Sequence, residues 1–205
     1  MINDLENYTR EDQLAYRNGV RYVARLEHIY DLDGNIPVTM ADNKIYLVTG
    51  AMGSLGQITV NWMYEKGARH FCIGGPYSVP WQKKKEKGMA SSHKLYSQVQ
   101  FINELERKGC TVEVAALDIA DEAAVRELTH RLIHEETMPI GGVVHIAGVV
   151  KDKLMMQMEQ HEFDEVYDTK VKGAWLLNKY LEEVELDFFS SCTLPQDRSL
   201  RRLDK

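Results

Sequence analysis

The sequence predicts an α/β domain built on a doubly wound parallel sheet, incomplete at its C-terminus, with a short hairpin ahead of it. Short apolar runs alternate with stretches of helical periodicity, the order that builds a parallel sheet covered on both faces. The first of these runs, residues 44–49, leads directly into Gly50, Gly53 and Gly56, spaced as in a turn that presents a helix N-terminus to a phosphate. Two later strand ends add Asp118 and Ala147-Gly148, and a parallel sheet gathers its ligands at the carboxyl ends of its strands.

At 205 residues the chain is long enough for one good-sized core. Its 44% hydrophobic and 27% charged residues are those of an ordinary globular protein, and no stretch approaches the ~20 consecutive apolar residues of a membrane span. The first residues carry acids where a signal peptide has a basic region and an apolar region, so a soluble, cytoplasmic protein with no membrane partner is expected. Cys72, Cys110 and Cys192 are odd in number and widely spaced, without a Cys-x-x-Cys pair or a Cys/His cluster, which fits reduced packing thiols and no metal site. A net charge of −6 argues against nucleic acid as a partner.

Along the chain, Asn18-Gly19 divides two stretches of mixed apolar and polar residues and predicts a hairpin, because both residues tolerate the positive φ of a type I′ turn. The cluster at residues 31–35 is a further turn. The apolar run at 44–49 is the first buried strand; the helix after it is marked by Leu55, Ile58 and Trp62 and closed by Gly67. Residues 69–73 form the next strand. Residues 74–92, with two prolines and the basic group Lys83, Lys84, Lys85 and Lys87, read as a long exposed loop. Leu95, Val99, Ile102 and Leu105 mark a helix ended by Gly109, and residues 111–117 the strand after it. Val125, Leu128 and Leu132 line a helix starting near Asp121, residues 142–146 are a fourth strand, and Val171, Ala174, Leu177 and Leu181 line a helix starting near Thr169. Residues 186–189 begin like a fifth strand with few apolar positions, and residues 192–205 read as an irregular tail.

Taken together, Thr49-Gly50-Ala51-Met52-Gly53-Ser54-Leu55-Gly56, Leu117-Asp118-Ile119-Ala120-Asp121, Gly142-Val143-Val144-His145-Ile146-Ala147-Gly148-Val149 and Thr169-Lys170-Val171-Lys172-Gly173-Ala174-Trp175 resemble the ketoreductase domain of modular polyketide synthases, within the short-chain dehydrogenase/reductase superfamily. The resemblance covers residues 13–191. It implies a Rossmann-like domain over 44–191, with residues 1–43 a remnant of the structural half that precedes the catalytic half. It also implies reduction of a β-ketoacyl group on an acyl carrier protein by NADPH, beside other synthase domains. The cofactor-binding positions it implies are Thr49, Gly50, Gly53, Ser54, Leu55, Gly56, Asp118, Ile119, Ile146, Ala147, Gly148 and Lys170. Of the catalytic set, Lys170 matches the family lysine and Ser191 the serine, while no tyrosine follows Ser191 to act as proton donor. The chain therefore reads as a fragment, inactive alone.

Two departures from the family pattern bear on specificity. Where the family shows Ser-Arg after the second strand, this chain has Gly74-Gly75-Pro76, so charge for the 2′-phosphate of NADPH falls to the lysines of the following loop, and NADH stays open as an alternative. Where members of one stereochemical class carry Leu-Asp-Asp, this chain has Val150-Lys151-Asp152. Plainer readings stand beside these: Asp118 as a turn cap, His145 as a satisfied core histidine, the lysine run as a solvated loop, and the whole chain as a non-catalytic nucleotide-binding or docking module.

Overall fold

The computed structural model describes residues 11, 14–25, 38–76, 93–191 and 202–204. The chain divides into two units, residues 38–193 and residues 1–37 together with 194–205.

The smaller unit contains the expected hairpin. Strands β1 (Leu14–Arg17) and β2 (Val20–Arg25) pair antiparallel in the register Leu14↔Val23 to Arg17↔Val20. The turn between them places Asn18 at φ 50° and Gly19 at φ 76°, the two positive values that a type I′ turn needs. A strand at Arg202–Asp204 pairs antiparallel with β2, with Leu203 opposite Ala24, where the sequence predicts an irregular tail. Three residues with one apolar position among charges are too short to show strand alternation.

The larger unit is a five-stranded sheet in the order β5-β4-β3-β6-β7, every neighbouring pair parallel: β3 (Ile45–Thr49), β4 (His70–Gly75), β5 (Thr111–Ala116), β6 (Ile140–His145) and β7 (Phe188–Ser191). From β3 the chain winds outward to β4 and β5, then returns to the other side of β3 for β6 and β7. The carboxyl ends of β3 and β6 therefore flank the point where the winding reverses, the crevice in which such sheets bind ligands.

All five residues of β3 are buried. Tyr46 and Val48 face one layer, with Val60, Met63, Phe101, Ile102 and Leu105 from helices α1 (Ser54–Glu65) and α2 (His93–Arg107). Ile45 and Leu47 face the other, with Val125, Leu128 and Leu132 of helix α3 (Glu122–His134) and Leu176, Leu177 and Leu181 of helix α5 (Gly173–Leu181). Helix α4 (Gln160–Tyr167) runs into α5 through a π-helical turn, Asp168–Lys172. Strand β7 is short, as its composition predicts, and it gains an anchor: Phe188 stacks on Tyr46 with ring centroids 6.0 Å apart. A Cβ at Gly142 would come within 2.6 Å of the Phe188 ring, so the glycine makes room for it.

Two expectations from periodicity are corrected. Leu55, Ile58 and Trp62 mark α1 but do not line its core face; they are 50%, 67% and 42% exposed, and the face against the sheet is Gly56, Val60 and Met63. The helical stretch that ends with α5 does not start near Thr169. It starts at Gln160, where the buried Glu162 carboxylate accepts a hydrogen bond from the Glu159 N–H and pairs with Lys153. Val171 lies in the π turn and is 48% exposed. Leu95 and the lysines at 83, 84, 85 and 87 lie outside the residues whose side chains are described, as does Cys192. Cys72 and Cys110 are free and buried, and burial pushes the Cys72 thiol up to about 12, so it is a packing group and not a nucleophile.

Candidate functional site

The loop from β3 into α1 carries the three glycines, and each is a glycine for a different reason. Gly50 sits at φ +75°, and a Cβ there would lie 2.6 Å from the Ala147 amide nitrogen, so both backbone angle and packing require it. At Gly56 a Cβ would fall 2.4 Å from the Gly50 carbonyl oxygen, so this glycine lets α1 start against its own loop. Gly53 has ordinary extended angles, φ −80° and ψ 167°, and a Cβ there would meet only the Gly50 oxygen, at 3.4 Å. Nothing inside the protein requires glycine at position 53. It is the N-cap of α1, no side chain caps the helix, and no acid stands in its first turn. The first-turn N–H groups are thus left to an external acceptor, and the helix dipole favours an anionic one.

The second part of the site lies at the end of β6. His145 is 1% exposed. Its Nε2 lies 3.1 Å from the Thr169 carbonyl oxygen, which can only accept, so Nε2 carries the proton; Nδ1 then accepts from the Thr49 hydroxyl at 2.7 Å. The Thr49 oxygen in turn accepts from the Ala147 N–H at 3.4 Å. Burial lowers the His145 pKa, opposed by the backbone hydrogen bonds to Thr169 and Lys170, so the ring is neutral near pH 7. The plain reading of a satisfied core histidine holds for its bonding. The same bonds join the ends of β3 and β6 to the π turn that carries Lys170.

The half-buried Lys170 lies against Gly148: a Cβ on that glycine would be 3.0 Å from Lys170 Cε. Among the described residues its ammonium makes no ion pair. Ser191, the last residue of β7, stands opposite His145 in the β6–β7 register, and its buried hydroxyl has no hydrogen-bond partner among the described residues. Both sequence-predicted catalytic residues thus lie near the end of β6, Lys170 against Gly148 and Ser191 beside His145.

The remaining sequence-predicted positions divide by what they touch. Ser54 and Leu55 are exposed at the α1 N-terminus. Asp118 is exposed, and its Oδ1 accepts from the Ala120 N–H at 3.0 Å, which is the turn-capping role; its other oxygen has no partner among the described residues. Ile119 is 6% exposed and would touch a Cβ at Gly173, so its side chain belongs to the core and leaves only its backbone for a ligand. Ile146 packs partly buried against the α1–α2 layer, and Ala147 against the other. The Thr49 hydroxyl is committed to His145 and is not free to bind a ligand directly. Sequence reasoning missed the π turn at Asp168–Lys172, and also the start of its helix, where the N-cap is Glu159 and not the usual Ser, Thr, Asp or Asn.

Residues 44–193 match the KR domain family. Among curated relatives, the chain is 32% identical over 190 residues to a 6-methylsalicylic acid synthase of Aspergillus niger, covering 90% of this chain and 10% of that protein. It is 32% identical over 157 residues to a lovastatin diketide synthase of Monascus pilosus, covering 76% and 5%. The chain thus spans about a tenth or less of these relatives. Among solved structures, a ketoreductase domain from the bacillaene assembly line superimposes with a TM-score of 0.72 at 25% identity, covering 92% of this chain and 41% of that one. A-type ketoreductases from a modular polyketide synthase superimpose at 0.68 with 26% identity, covering 87% and 34%. With the strand order and the glycine loop, these matches establish that the chain belongs to the ketoreductase (KR) domain family of polyketide synthases, with the short-chain dehydrogenase/reductase fold.

Proposed function

We propose that this chain carries the nucleotide-binding half of an NADPH-dependent β-ketoacyl reductase acting on an acyl carrier protein-bound chain beside other synthase domains. In this reading residues 44–191 form a partial catalytic domain, and the 205 residues bind nucleotide without turning substrate over. The observation that carries it is the convergence at the end of β6, where Lys170 lies against Gly148 and the unpartnered Ser191 hydroxyl stands opposite His145. Bound NADPH would supply the hydride. Its pyrophosphate fits the open N-terminus of α1 at Gly53, and its nicotinamide half fits beside Gly148 and Lys170.

Hydride addition to a ketone builds negative charge on oxygen, and Ser191 can donate a hydrogen bond to it while Lys170 supplies positive charge nearby. Completing the alcohol needs a proton. The sequence has no tyrosine after Tyr180, and Tyr180 itself donates to Glu122 at 2.7 Å on the α3–α5 surface, away from the β6 end. The second reading is a nucleotide-binding or docking module with no reaction of its own.

Nicotinamide fluorescence and NADPH consumption, measured with a β-ketoacyl thioester, test the proposal together. Saturable NADPH binding with no thioester-dependent oxidation is expected. Failure to bind either NADPH or NADH would reject the reductase ancestry as a working site, and thioester-dependent turnover would show that another group donates the proton.

A further inference from the structure

We infer that His145 is a positioning residue: its Nε2–H bond to the Thr169 carbonyl holds the π turn Asp168–Lys172 open at the register that lays Lys170 against Gly148. A π turn is a rare local excess of one residue in an α-helix, so a partner outside the helix that fixes one of its carbonyls bears directly on whether it persists. The Thr169 carbonyl is held by a buried side chain from the sheet, 24 positions away in sequence. The imidazole cannot drift, because its other nitrogen accepts from Thr49 and its Cε1 would lie 3.3 Å from a Cβ at Gly173. Glycine at position 173 lets α5 begin against the ring.

The same histidine thus connects the end of β3, where the glycine loop starts, to the turn bearing the only sequence-predicted catalytic cation. Loss of the Thr169 bond would let the turn rewind and carry Lys170 off Gly148, while β3 and β6 kept their register through backbone hydrogen bonds. The meaning for nucleotide binding rests on the reductase reading above; the meaning for the turn does not.

Two substitutions separate the two ring nitrogens. In His145→Gln the amide nitrogen falls near the former Nε2 and can still donate to the Thr169 carbonyl. In His145→Asn the side chain reaches only the former Nδ1 position and can still accept from Thr49. Amide hydrogen exchange of the full chain, read at Asp168–Lys172 against the β3 and β6 strands, is the direct measurement. His145→Asn should raise exchange in the turn about tenfold with strand exchange little changed, and His145→Gln should stay within about threefold of wild type, a ratio that one lost hydrogen bond supports. NADPH titration should follow the same order. Equal behaviour of the two variants, including loss of the fold in both, would overturn the proposal, as would exchange rising equally in turn and strands of His145→Asn. If the exchange pattern holds and wild type does not bind NADPH, the reductase reading fails and the positioning role stands.

Discussion

Burial of the hydrogen-bonded His145 ring gives this site a pH signature. The native pKa is lowered from the ordinary 6.5, chiefly by burial, so the unfolded chain takes up a proton in a range where the folded chain resists it. The stabilisation from the neutral ring is therefore complete above 6.5 and is lost as pH falls from there toward the lowered native value. Denaturant midpoints measured from about pH 8 to about pH 5 should be level at the alkaline end and decline below the ordinary histidine value, and His145→Gln should flatten the decline. An unchanged slope in that variant would place the proton uptake elsewhere. At the same scale the glycines separate cleanly: Gly50 and Gly56 are required by the protein's own backbone, and Gly53 by neither its angles nor its neighbours, which is what the proposed nucleotide site accounts for.

Helix α1 shows how far element-level reading reaches. A helix after the glycine loop is legible from Gly56 to Gly67, and Gly67 closes it at φ 117° as its position predicts. Its orientation is not legible, because apolar residues occur on both faces and the largest of them, Trp62, is on the outer one. The core face uses Gly56, whose missing side chain brings the helix onto the loop, and hydropathy gives a glycine no weight. Met63→Ala should therefore cost about 2–5 kcal/mol, whereas Ile58→Ala should stay within about 0.5 kcal/mol, both read from denaturant midpoints. A larger loss at Ile58 would mean that the exposed face is covered in solution. The π turn was beyond reach for a related reason. It is held by a side chain from a strand distant in sequence, so no local pattern in residues 168–172 announces it. Strands β3, β4 and β6 are legible because burial on both faces makes them near-continuous apolar runs; β7 is marginal because its anchor is the single stacked Phe188.

In the larger unit, the order β5-β4-β3-β6-β7 brings together at one edge the residues that the sequence scatters over 140 positions, from the glycine loop to Ser191. Asp118 shows the limit of that convergence: topology places it at the right end of β5, yet its carboxylate is partly engaged in its own turn. The family assignment rests on the whole pattern, and the pyrophosphate end of the proposed nucleotide site rests on Gly53. A methyl at 53 meets one protein atom at 3.4 Å and suits the backbone angles there, so it leaves the fold intact while standing where a pyrophosphate must approach. The most direct test is a nicotinamide fluorescence titration of NADPH with wild type and Gly53→Ala, thermal midpoints being measured on both. Wild type should bind saturably and Gly53→Ala should bind at least about tenfold more weakly at an unchanged midpoint, a difference of about 1.4 kcal/mol in binding. Equal binding by the two folded proteins would contradict the account.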